Sequence, residues 1–119
     1  MLGLVRDKFP LLTLSLPGLN GPLALEFIVD TGFEGELALP PSLLRRLEVG
    51  LVGDRPILLA DGTIVRRSCF EVELEWDAEV RTVEIIELDG NPLLGVELMA
   101  ESLLQVEMTD GGAVSLESL

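Results

Sequence analysis

The chain has 119 residues, 48% of them hydrophobic, and a net charge of −13 from 21 acidic and 8 basic residues. That size and apolar content suit one globular domain, 1–119, and exclude disorder, while the acidity excludes nucleic acid or an anionic membrane as partner. Histidine is absent and Cys69 is the single thiol, which excludes Ser-His and Cys-His nucleophile pairs, an internal disulfide and most zinc or transition-metal sites.

Met1 to Pro10 carries Arg6, Asp7 and Lys8 and lacks the uninterrupted apolar core of a signal peptide. No stretch reaches membrane-spanning length without a charge or a proline, so a soluble, cytoplasmic chain is expected. Leu11 to Leu16 reads as a strand, followed by the turn Pro17-Gly18-Leu19-Asn20-Gly21. Pro22 to Asp30 is the second arm of that hairpin, with Leu23, Leu25, Phe27 and Val29 on one face.

Glu36 to Leu39 is another short strand, and Pro40-Pro41-Ser42 opens a helix over Leu43–Leu47 that Gly50 would close. Arg45-Arg46 and the later Arg66-Arg67 sit among acids and apolar residues, so they read as solvated faces rather than a basic patch. Pro56 to Arg67 forms two strands around Ala60-Asp61-Gly62-Thr63, since Asp-Gly is a strong hairpin signal.

Phe70, Val72, Leu74 and Trp76 alternate with Glu71, Glu73 and Glu75, which predicts one buried and one wet face. Cys69, just before them, reads as a small apolar filler. Val80 to Leu88 continues as a strand whose alternation slips at Ile85-Ile86, predicting a bulge or burial on both faces. Gly95 to Leu104 reads as a second helix with Val96, Met99 and Leu103 on one stripe. Gln105–Met108 and Ala113–Leu116 flank a last turn, Thr109-Asp110-Gly111-Gly112. That turn and Asp89-Gly90-Asn91 lack the alternating oxygen ligands of a calcium loop. The sum is an all-β domain with two short helices.

The motif that carries chemistry is Val29-Asp30-Thr31-Gly32-Phe33. An apolar strand delivers one carboxylate into a tight turn, with Gly35 and Leu37-Ala38-Leu39-Pro40 following and Leu93-Leu94-Gly95 much later. This ordered set resembles the retroviral-type (retropepsin-like) aspartic proteases, and most of all their small single-domain prokaryotic branch. The resemblance covers most of the chain, and its first motif is the specific one.

The resemblance implies a closed retropepsin-like barrel with one catalytic carboxylate, Asp30, per subunit. Two subunits would bring their loops together at a two-fold axis, where a residue meets its own copy. Two carboxyls held close share a proton, so one accepts a proton from water while the other donates to the peptide carbonyl. Thr31 would tie the two loops through its hydroxyl, and Gly32 would let backbone approach the carboxylate. Ala60, Asp61 and Gly62 fall where the family carries a flap over an extended peptide substrate; a static hairpin is the alternative. Phe33 replaces the family's usual Ala or Ser and offers no hydroxyl to the carboxylate. Glu34 and Glu36 are expected to point to solvent.

The expected function is a homodimeric aspartic endopeptidase without metal or cofactor. The competing reading is a non-proteolytic peptide-binding or dimerisation module on the same fold, because fold does not fix function.

Overall fold

A computed structural model describes residues 1–119. Apolar alternation sets most of its strands: β1 (Leu2–Arg6), β2 (Phe9–Leu16), β3 (Leu23–Val29), β4 (Leu37–Leu39), β5 (Gly50–Leu58), β6 (Ile64–Trp76), β7 (Glu79–Glu87), β8 (Leu93–Leu94), β9 (Ser102–Val106) and β10 (Ala113–Ser118). Two helices of a single turn, α1 (Pro41–Leu44) and α2 (Val96–Met99), complete an all-β domain. No helix is long and apolar enough to cross a membrane.

The ten strands form one sheet in the order β5-β6-β7-β4-β8-β3-β2-β1-β10-β9. The expected closed barrel is not what forms, because β5 and β9 end the sheet without pairing to each other. β5 is a poor closing strand. Pro56 has no N–H to give, and the register with β6 shifts between Leu51 and Gly53. The sheet instead curls until β2 packs against β6.

Inside that curl lies one cluster of 21 buried apolar residues, including Phe27, Leu37, Leu39, Ile85, Leu94 and Leu98. Burying each such side chain stabilises the fold by about 1.5–3 kcal/mol before entropy is counted. Val72, Leu74 and Trp76 face the core while Glu71, Glu73 and Glu75 face water, as the alternation predicts. Ile85 and Ile86 are both buried with continuous β6–β7 register, so the slip there reflects burial on both faces and not a bulge. All three residues of β4 are buried for a related reason: the strand lies inside the sheet, parallel to β7 and antiparallel to β8.

The second helix is much shorter than its predicted span, Gly95–Leu104. Ala100 turns to ψ 140° and Glu101 to φ 61°, which ends α2 and redirects Ser102–Leu104 into β9. There the chain pairs with β10, from Ser102 opposite Ser118 to Val106 opposite Val114. The first helix lies slightly upstream of its predicted span, over Pro41–Leu44, and Gly50 opens β5 rather than closing α1.

Candidate active site

β3 carries Phe27 and Val29 into the core and releases the chain at Asp30, whose side chain is half-buried at the strand end. The Asp30 N–H donates to the Leu94 carbonyl at 2.9 Å, continuing the parallel β3–β8 pairing by one residue. The turn is then closed locally. Gly32 N–H donates to Asp30 Oδ1 at 2.9 Å, and Phe33 N–H donates to the Asp30 carbonyl at 3.2 Å. Asp is suited to this place because its short carboxylate reaches the backbone two residues on. One carboxylate oxygen is thereby fixed by backbone, and the loop around it is exposed at Thr31 and Gly32.

The later apolar pair and glycine complete the support. Val96 N–H donates to the Phe33 carbonyl at 2.9 Å, and Gly95 N–H to the Glu36 carbonyl at 2.9 Å. A Cβ on Gly95 would stand 2.2 Å from the Gly35 carbonyl oxygen, so only glycine fits. Phe33 is half-buried, its ring covering both Gly35 and Gly95. Phe33 therefore shapes the loop from behind and gives the carboxylate no donor.

Glu34 is exposed, as expected, but Glu36 is not directed to solvent. Its Oε1 accepts the Glu84 N–H at 3.0 Å, and its Oε2 lies 3.7 Å from Arg81 Nη2. Fastening to β7 offsets the cost of sheltering this carboxylate. Sequence periodicity does not announce this role, because Glu36 sits just before a strand buried on both faces.

Ala60, Asp61 and Gly62 form the exposed tip of the β5–β6 hairpin. Gly62 has φ 88° and its N–H donates to the Leu59 carbonyl at 3.0 Å. Asp61 Oδ1 accepts both the Thr63 hydroxyl, at 2.5 Å, and the Thr63 N–H, at 2.9 Å. These bonds, the hydroxyl first, hold the Asp61 carboxyl below its ordinary pKa. The tip makes its hydrogen bonds within the hairpin, so one chain does not join it to the Asp30 loop.

The structure thus brings together Asp30, Gly32, Phe33, Gly35, Glu36, Leu94 and Gly95, and leaves Ala60–Gly62 apart. A hollow of about 320 Å³ lined by Arg6, Phe9, Glu26, Ile28 and Pro92 does not include Asp30. Chemically, the loop offers one carboxylate anchored through Oδ1, in a turn exposed at Thr31 and Gly32. The chain matches no protein-family model, no curated protein and no solved structure.

Proposed function

We propose that this chain is a retropepsin-like aspartic endopeptidase that works as a cytoplasmic homodimer. The observation that supports it best is the fastening of the loop from Asp30 to Glu36 onto Leu94-Gly95-Val96 by backbone hydrogen bonds at Asp30, Phe33 and Glu36. Two segments far apart in sequence cooperate to hold a single half-buried carboxylate at a strand end. A carboxylate held through one oxygen suits acid–base work, provided a second one meets it.

A two-fold axis beside the loop supplies that second group as Asp30 of the other subunit. Like charges at short range do not both ionise, so the pair holds one proton. The ionised carboxylate takes a proton from water, and the water oxygen bonds to the peptide carbonyl carbon. The protonated carboxyl gives its proton to the carbonyl oxygen. The resulting diol collapses with proton transfer to the amide nitrogen, the C–N bond breaks, and a carboxylic acid and an amine leave. An extended peptide would lie between the carboxyl pair and the β5–β6 hairpin, its backbone pairing as an added strand.

Phe33 favours a second reading, a peptide-binding or dimerisation module. Its ring is committed to packing on Gly35 and Gly95, and it supplies no hydrogen bond to Asp30. One experiment separates the two. Purified chain is incubated with an unstructured protein at mildly acidic pH, beside the Asp30→Asn variant. A peptidase cuts and the variant loses at least about a hundredfold in rate. If neither cuts and both bind an extended peptide equally, the binding module stands.

A further inference from the structure

β6 pairs with β7 only from Cys69 to Trp76, whereas Ile64 to Ser68 pair with β5 alone. Residues 54–68 therefore leave the sheet as a two-stranded ribbon, an arrangement that is marginal on its own in water. Its apolar tip is exposed, with Leu58 at 71% and Ile64 at 69%, so core packing does not hold the tip down.

Most polar side-chain bonds of the ribbon are internal, such as Asp61 with Thr63 and Ser68 Oγ with Asp54 Oδ1 at 3.5 Å. One reaches the body of the protein: Arg55 Nη2 lies 2.5 Å from Glu84 Oε2 on β7. The Glu84 side chain is 22% exposed and that of Arg55 58%, so the carboxylate is sheltered while solvent screens the pair from the arginine side. Glu84 also gives its N–H to Glu36, and the Glu36 carbonyl accepts the Gly95 N–H at the Asp30 loop. Near the root of the ribbon the register slips at Gly53, which has φ 149° and open space around its Cβ position. A glycine bulge with nothing packed against it is where a ribbon bends most easily.

We propose that Arg55 and Glu84 form a latch that fixes the angle of the 54–68 ribbon about the bulge at Gly53, and that this angle governs the access of an extended peptide to Asp30. Arg55 and Glu84 are positioning residues: they act through the ribbon and touch no reacting atom. The latch stands on the geometry alone, while its effect on peptide rests on the proposed function.

Amide hydrogen exchange reads the latch without any assay of activity. In Glu84→Gln, amides of the ribbon from Ile57 to Val65 are expected to exchange about threefold faster, with those of β2 and β3 unchanged. Exchanging the charges, Arg55→Glu with Glu84→Arg, is expected to restore the slow rate. Unchanged ribbon exchange in Glu84→Gln, equal acceleration in β2 and β3, or no recovery in the exchanged pair overturns the latch. With an extended peptide, Glu84→Gln is expected to change KM while kcat stays within twofold or so. A fall in kcat at constant KM overturns the access role. A chain that cuts no peptide overturns the proposed function and the access role together, and the exchange result still decides the latch.

Discussion

Gly95 lies directly against Phe33: a Cβ on Gly95 would stand 2.6 Å from the Phe33 carbonyl oxygen and 2.6 Å from its ring. The neighbours cannot easily yield, because the Gly95 and Val96 N–H groups are bonded to the Glu36 and Phe33 carbonyls. Gly95→Ala is therefore expected to cost about 3 kcal/mol of stability, from displaced backbone and lost hydrogen bonds. Gly50→Ala meets nothing within 4 Å and is expected to stay within about 0.5 kcal/mol. Urea unfolding of both variants measures the difference, and similar midpoints would contradict the packing described.

Cys69, on β6 between Gly53 of β5 and Ile86 of β7, is 1% exposed. Burial first, and the charge of Glu84 second, push its thiol above the ordinary pKa. A raised folded-state value favours the neutral form, so the stability it contributes is present below the ordinary thiol pKa of about 8.5 and is lost as pH rises through the raised value. The folded chain is expected to resist a thiol reagent at pH near 8 and to react only as it unfolds. Stability should fall on the alkaline side, and Cys69→Val should flatten that fall. Fast labelling under native conditions would contradict this.

Acid acts at the hairpin tip. Asp61 is held below its ordinary pKa by Thr63, so its support of the turn is present above the ordinary carboxylate range of about 4. That support is lost only as pH falls through the depressed value. The carboxyl is fully exposed, so the loss is local rather than global. A proton NMR titration of the Thr63 amide should report a midpoint below that of an ordinary aspartate, and Asp61→Asn should remove the step. A midpoint above the ordinary value would show that the turn is built differently.

How much of this was legible from residues alone varies by element. Phe70–Trp76 was legible because a strand with one wet face writes its period into the sequence. The hairpin around Asp61-Gly62 was legible because its turn needs glycine at positive φ. β1 was not foreseen: it turns into β2 through Asp7 and Lys8, both at positive φ without a glycine, and its other partner is β10 at the far end of the chain. Leu103 fits a helical stripe with Val96 and Met99, yet long-range pairing with β10 claimed it for a strand. Within the site, Asp30 and Gly95 were marked by their motifs. The part played by Glu36 was not, because only the fold brings the Glu84 N–H to it.

Charge opposes the proposed dimer. Each chain carries −13, so two copies repel at long range and association should tighten with salt. Sedimentation equilibrium at low and high ionic strength is expected to show a lower dissociation constant at high salt. A chain that stays monomeric at every concentration and salt would remove the second carboxylate and with it the proposed chemistry.

The proposed sharing of one active site by Asp30 of both subunits can be read from mixed dimers: wild-type and Asp30→Asn chains are refolded together in varied proportions and peptide cleavage per total chain is measured. A shared site requires two wild-type chains, so activity should follow the square of the wild-type fraction and fall to about one quarter in an equal mixture. Activity that falls in simple proportion to the wild-type fraction would mean that each chain works alone, and would rule out a site shared between subunits.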